Sequence, residues 1–313
     1  MISRSLLRIK VLQVLYAHFN TGGGKNTVKP EKDLEYSIQK TYDLYFHILL
    51  LSVAVKRHAE SRIELARNKK LPTHDDLNPN MRLVENKVIL QIEDCPKFKK
   101  YTNERVVSWT DHPELIKNLY NRMIESSYYK EYMERPESGY AYDKQLLVDF
   151  YSSELEDFDM FLNILEEQSI FWNDDIEFIV GMAVKTINGM NPSKFNIMPL
   201  YKSDDDREFA ISLLRSTIAR YDEYHKVVDS FIENWDIERV AHIDNLITQM
   251  AINELVEFPS IPIKVTFDEY LEMAKYYSTP KSSIFINGLL DKIAEDLTEK
   301  GLIVKTGKGL IME

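Results

Sequence analysis

The sequence predicts an all-α fold, and three observations carry that prediction. Apolar residues recur at helical spacing through most of the 313 residues. Only 10 Gly and 11 Pro are present, too few for an all-β design built on many tight turns. Segments with the alternation of a strand are nearly absent. A hydrophobic fraction of 44% supports a real core, and the length accommodates one large domain or two ordinary ones.

Residues 4–19 form the first amphipathic helix, with Leu7, Val11, Val14, Leu15 and Phe19 near helical spacing. Ser3 stands as its N-cap, and Thr21-Gly22-Gly23-Gly24 ends it. A long helical pattern rich in Tyr, Leu and Ile covers 31–69 and stops at Lys69-Lys70-Leu71-Pro72. His74 to Pro79 reads as a loop, and Met81–Ile92 as a shorter helix stopped before Cys95-Pro96. Phe98–Trp109 and Pro113–Met133 read as helices, with Asp111 and Pro113 marking the second start. Pro136 and Gly139 break the chain, after which helices cover 141–151, 154–169 and 174–188. Asn191-Pro192 and Met198-Pro199 mark a loop, and from Ser203 the helical pattern is nearly continuous to Glu257.

Within that stretch, Asp206–Asn234 buries Phe209, Leu213, Ile218, Tyr221, Val228 and Ile232. Asp204, Asp205 and Asp206 lie at the positive end of its dipole. Trp235-Asp236-Ile237 is a short connector, and Asp244 to Val256 the next helix. Pro259 and Pro262 prevent its continuation. Thr266-Phe267-Asp268-Glu269 has the form of a capping box opening a helix to Tyr277. Thr279-Pro280 opens the last helix, with Thr as N-cap and Pro at the first helical position. Gly288 inside it costs up to about 1 kcal/mol relative to Ala, so close approach of another helix is expected there. Gly301 to Glu313 reads as a tail. Asp143–Asn173 laid over Asp206–Asp236 matches at four identities, including Trp172 with Trp235; this is either a duplicated helical hairpin or two amphipathic helices sharing a period.

Composition excludes several function classes. The single Cys95 rules out an internal disulfide and a multi-cysteine zinc site, and fits a reducing, cytoplasmic setting. No apolar run is long enough to span a membrane, and Met1–Phe19 carries Arg4, Arg8 and Lys10 where a signal peptide would be apolar. The Gly22-Gly23-Gly24-Lys25 run lacks the spacing and trailing Ser/Thr of a phosphate loop. With no nucleophile, metal set or cofactor loop, the chain reads as a non-enzymatic binding protein without cofactors. A net charge of -11 means that any RNA binding must come from a local basic patch or from a partner bringing positive charge. Lys97-Phe98-Lys99-Lys100-Tyr101 mixes basic and aromatic residues as single-strand binders do, and reads equally as an exposed helix start.

Three segments resemble the NusB family of transcription antitermination factors. The first is Arg4-x-x-x-Arg8 through Gln13-Val14-Leu15-Tyr16, similar to the family's basic N-terminal helix. The second is Asp206 to Leu255, with Ile243-Asp244, Ala251-Ile252 and Glu254-Leu255. The third, and most specific, is Pro262 to Ile293, with Val265, Glu269, Glu272, Ala274-Lys275 and Phe285-Ile286-Asn287-Gly288-x-Leu290-Asp291. Family members are usually about half this length, so 21–173 reads as an inserted helical region, 1–20 plus 174–300 as the NusB-like domain and 301–313 as the tail. The family's arginine cluster is thin here, with Ser5 and Leu6 where arginines are common, and Gln249 replaces a frequent arginine.

The resemblance implies an all-α NusB-like fold of two small helical bundles. It implies a factor that pairs with the ribosomal protein NusE and binds boxA RNA in nascent ribosomal RNA transcripts. That pair joins other Nus factors on RNA polymerase. The RNA-binding residues it implies are Arg4, Arg8, Lys10, Gln13, Tyr16, Lys275, Phe285 and Asn287. Phe285 either stacks on a base or fills the core, and Asn287 with Gly288 also reads as a packing pair. The alternative function is a protein-only helical scaffold of the transcription machinery that has lost independent RNA binding. NusB-like domains also occur fused to RNA cytosine methyltransferases, but this chain has no cofactor loop and its lone cysteine precedes Pro96.

Overall fold

The computed structural model describes residues 1–232 and 241–310; the expected connector at Trp235-Asp236-Ile237 lies outside them. Among the described residues the backbone is helical, with no strand and one isolated bridge between Asn191 and Lys194. No described helix is long and apolar enough to cross a membrane. In chain order the helices are α1 (Arg4–Asn20), α2 (Val28–Arg67), α3 (His74–Leu77), α4 (Lys87–Asp94), α5 (Pro96–Glu104), α6 (Pro113–Glu125) and α7 (Ser127–Glu134). They continue with α8 (Tyr140–Ser153), α9 (Asp159–Gln168), α10 (Ile176–Asn188), α11 (Asp204–Ile232), α12 (His242–Glu257), α13 (Ile263–Tyr277) and α14 (Pro280–Glu299). Two compact units result: Met1 with Gln39–Leu200, and Ile2–Ile38 with Tyr201–Glu313. Residues 21–38 therefore belong with the C-terminal helices and 174–200 with the other unit, which differs from the boundaries expected at 20 and 174.

In the Gln39–Leu200 unit, α2 supplies the central apolar face, with Leu44, Tyr45, Phe46, Leu49 and Val53 all buried. The indoles of Trp109 and Trp172 enter this core, and each donates to an α2 carbonyl, His47 and Lys40 respectively, at 2.8 Å. These bonds satisfy donors that burial would otherwise leave unpaired. Several helices are shorter than the periodicity predicts. α5 ends at Glu104 rather than Trp109, because Val106 adopts a left-handed φ of 54° and turns Val107 and Trp109 inward. The expected helix 113–133 is broken at Ser126, whose hydroxyl caps α7 by accepting from Tyr129 N. The expected helix 154–169 begins only at Asp159, after Asp157 at φ 51°. That break answers the question of duplication. Asp143–Asn173 spans two helices, whereas the matching residues 206–232 lie in the single helix α11, so the shared feature is a period and not a hairpin. The presumed loop at His74 holds one helical turn, opened by a capping box between Thr73 and Asp76.

In the other unit α12 is the central helix. Every residue from Leu246 to Leu255 is buried, and α1, α11, α13 and α14 pack around it. A helix buried on all sides needs such surroundings. Among its buried polar groups, Asn253 Nδ2 donates to Ser216 Oγ at 2.7 Å and to Thr217 Oγ1 at 3.1 Å. The start of α2 is fastened to α11 by ion pairs of Glu31 with Arg215, at 2.6 Å, and Glu35 with Arg207. Thr279 caps α14 as expected, accepting from Ser282 N at 3.2 Å with Pro280 at the first position.

Two expectations fail here. Thr266 is not a cap: α13 starts earlier, at Ile263, and Thr266 lies inside it, fully buried. The closing segment is not a free tail either. Ile303 is buried, Thr306 N donates to Pro259 O at 2.9 Å, and a 3-10 turn spans Gly307–Leu310.

Candidate nucleic-acid interface

The N-terminal helix is held by one buried group, Glu254 of α12. Arg8 donates to it through Nε at 2.7 Å and Nη2 at 2.8 Å, a bidentate pair with side chains 2% and 0% exposed. Thr266 Oγ1 donates to Oε1 at 3.0 Å and Tyr270 OH to Oε2 at 3.2 Å. Four donor contacts from two helices thus neutralise a carboxylate that burial would otherwise penalise heavily. Burial alone would lower the Arg8 pKa, but the hydrogen bonds and charge of Glu254, with Tyr270 and Glu269, hold it above the ordinary arginine value. Burial, with the Glu254 charge, pushes the Tyr270 phenol well above its ordinary range.

The hub also sets the register of α1 on α13. Ser5 Oγ donates to Glu269 Oε1 at 2.8 Å, and Gln13 Nε2 to Tyr277 OH at 3.3 Å. Both pairs are separated by 264 residues, so the two helices run in the same direction, side by side. Glu269, read as the partner in a capping box, instead faces α1, 3.5 Å from Arg8 Nη1.

The eight sequence-derived RNA residues divide under this geometry. Arg8 and Lys10 are buried, so neither presents its charge to a ligand; Arg8 is a core ion pair instead. Arg4 is partly exposed, with Nε 2.9 Å from Asp206 and its guanidinium 4.9 Å from the Phe209 ring centroid. Tyr16 is 43% exposed, its ring 5.8 Å from that of His242. Gln13 is half-buried against Tyr277. On the other side of α13, Lys275 and Asn287 line one groove of about 360 Å³ with Asp268, Leu271, Glu272 and Ile284. There Lys275 is ion-paired with Glu272, and Asn287 lies 3.4 Å from Asp291. Phe285 is half-buried. The groove continues along α13 and α14 as a second hollow of about 630 Å³, floored by Ile263, Phe267 and Leu310. Ile284 beside it is 76% exposed, and Tyr276 at the α13 end 68%. Sequence reading missed Tyr276 and Tyr277; the adjoining tyrosines before Ser278 were the available signal.

The NusB family model matches residues 181–295, a stretch that begins inside α10 and ends in α14. Over 114 residues the chain is 42% identical to the transcription antitermination protein NusB of Salinibacter ruber, covering 36% of this chain and 71% of the relative. The chain belongs to the NusB family. A NusB of Chloroherpeton thalassium is 34% identical over 105 residues, 34% of this chain and 50% of its own length. One of Thermodesulfovibrio yellowstonii is 39% identical over 95 residues, 30% and 63% respectively. No solved structure matches the chain. NusB membership supports the all-α expectation; the second and third segments of the resemblance, Asp206 to Leu255 and Pro262 to Ile293, lie within the matched residues, and the first, Arg4 to Tyr16, lies outside them.

Proposed function

We propose that this chain is a cytoplasmic, non-enzymatic transcription antitermination factor that pairs with ribosomal protein NusE and binds boxA-type RNA, joining other Nus factors on RNA polymerase. The observation that carries this reading is the Gln13–Tyr277 contact, which sets the N-terminal helix beside the end of α13, inside the family-like segment Pro262 to Ile293. Arg4, Gln13 and Tyr16 form the RNA edge on α1, with Phe285 at the start of α14. Arg8 and Lys10 act from inside, by placing α1. The α13–α14 groove is largely apolar, with carboxylates at Asp268, Glu272 and Asp291 balanced by amines at Lys264, Lys275 and Lys305, a mixed lining that suits a protein surface better than a phosphate backbone. It is assigned to NusE, with Lys275 and Asn287 at its rim. The part of the 39–200 unit that precedes the matched residues, 39–180, is an insertion into this framework.

The test is fluorescence anisotropy with a boxA-like RNA and a scrambled control, with and without NusE. Specific binding that appears or tightens with NusE is expected. A second reading, the protein-only scaffold, is favoured by one observation: burial removes Arg8 and Lys10 from the basic face. Equal affinity for both RNAs under both conditions establishes it instead.

A further inference from the structure

We infer that the unit of residues 39–200 carries a second anion site, a lysine-lined cleft that takes the phosphate backbone of single-stranded RNA flanking the main contact. This rests on the RNA-binding reading above. The cleft encloses about 870 Å³, and its walls include Lys97, Lys185, Lys194, Cys95, Phe195 and Asn196. No Asp or Glu lines it, in a chain of net charge -11. All three lysines are exposed, and none has an ion-pair partner among the described residues.

Their origins differ. Lys185 is in the last turn of α10, where a cation ordinarily complements the helix dipole. Lys97 is in the first turn of α5, which holds no acidic residue, and there the dipole disfavours a cation. Lys194 is fixed by a tight turn: Asn191 and Lys194 exchange both backbone hydrogen bonds, at 3.1 and 3.0 Å, and Ser193 N donates to Asn191 Oδ1 at 3.0 Å. Gln91 Nε2 anchors the turn to α4 through Asn191 O at 3.1 Å, and Lys144 Nζ donates to Asn188 O and Met190 O. Three cations from three elements therefore line one cleft without a counter-charge among its walls, an arrangement that an incoming polyanion stabilises. The half-buried Phe195 ring and the Asn196 amide beside them fit a nucleic acid strand, which offers bases as well as phosphates. The aromatics of the 97–101 run do not contribute: Phe98 is in the core and Tyr101 stacks on Phe46 at 3.8 Å.

Cys95, the sole cysteine, makes the cleft directly measurable. The full chain is titrated with labelled boxA-like RNA carrying flanking nucleotides, in the presence of NusE, across a salt series, alongside Lys97→Gln/Lys185→Gln/Lys194→Gln and a charge-matched control, Lys29→Gln/Lys32→Gln/Lys130→Gln. Losing three phosphate contacts reduces the log–log salt slope by about 2, so over a fourfold rise in salt the unaltered chain loses roughly twentyfold more affinity than the cleft variant. The control keeps the full slope. In the unaltered chain, RNA slows maleimide labelling of Cys95, a readout that stands even where the triple variant fails to fold. An unchanged slope in a folded triple variant, with Cys95 equally reactive with and without RNA, overturns the cleft while boxA-specific binding leaves the antitermination reading intact. Cys95 protection by boxA-like and scrambled RNA, together with equal affinity for the two, upholds the cleft and overturns that reading. Protection by inorganic pyrophosphate but not by RNA overturns RNA as the occupant.

Discussion

Arg8 and Glu254 meet through two parallel N–H···O bonds of 2.7 and 2.8 Å with almost no solvent exposure on either side chain. A buried pair of this kind is weak evidence for net stability, but breaking it leaves an uncompensated charge. Arg8→Met is expected to cost about 3–5 kcal/mol, and Arg8→Met with Glu254→Met much less than the sum of the two single changes. Urea unfolding followed by circular dichroism measures both. Additive losses would refute the shared hub.

Thr266 offers a sharper discrimination, because its two readings make opposite demands. A capping threonine tolerates Asp. A fully buried threonine donating to Glu254 does not, since Asp would set a second carboxylate against the first. Thr266→Val is expected to cost about 1–3 kcal/mol through the donor it removes, and Thr266→Asp more. Thr279→Asp, at a real cap, should leave the midpoint nearly unchanged. Thermal unfolding of the three variants side by side decides the matter.

This pair of threonines shows what the sequence could and could not convey. Helix class, the start at Thr279-Pro280 and the apolar face of α12 follow from spacing and local chemistry, which act within a few residues. Whether Thr266 caps depends on Glu254, and whether Arg8 is presented to RNA depends on the same carboxylate, 246 residues away in the chain. Residue type at Arg8 signals phosphate binding; only tertiary packing reveals that the charge is consumed internally. The breaks at Val106 and Asp157 were similarly hidden, since neither residue is a usual left-handed former in the way Gly is.

Tyr16 is the most exposed of the residues assigned to RNA on α1 that retain an aromatic face. Base stacking on such a ring contributes about 1–3 kcal/mol. Tyr16→Ala is therefore expected to weaken boxA binding in the presence of NusE by roughly fivefold or more, with a melting temperature close to the original. Arg8→Lys should do the reverse, destabilising the fold more than it weakens RNA binding by the folded chain. A Tyr16→Ala chain that binds normally removes this ring from the interface.

His47 makes the unit of residues 39–200 sensitive to mild acid. Its ring lies between Trp109 and Trp172, at centroid distances of 5.4 and 5.1 Å, and Nδ1 has no hydrogen-bond partner among the described residues. Burial pushes its pKa from 6.5 down to about 4, against the opposing pull of Asp43. The sign follows: below pH 6.5 the unfolded chain takes up a proton that the folded chain refuses, so stability falls as pH drops from 6.5 to about 4 and this contribution levels off below that. The full loss is about 3 kcal/mol. Chemical denaturation monitored by tryptophan fluorescence at pH 7 and pH 5 should show the drop, and His47→Phe should flatten it. Equal slopes in the two chains would exclude His47 as the source.

Gly309 tests whether the closing segment is part of the fold. Lys305 Nζ donates to the carbonyls of Leu255 and Phe258 at 2.9 and 3.2 Å, completing the C-terminal end of α12, and Ile303 is buried beside it. The backbone comes so close to the α12–α13 connection that a Cβ on Gly309 would overlap the carbonyl oxygen of Pro259, which is fixed backbone and cannot swing aside. Gly309→Ala must therefore displace the segment, at about 1–3 kcal/mol. Once displaced, Lys305 leaves its partners and becomes accessible to trypsin. Cleavage after Lys305 should be slow in the unaltered chain and fast in Gly309→Ala, while Gly181→Ala, which has open space around its Cβ position, should leave the contact with Pro259 in place. Rapid cleavage after Lys305 in the unaltered chain would mean that the segment is a tail after all.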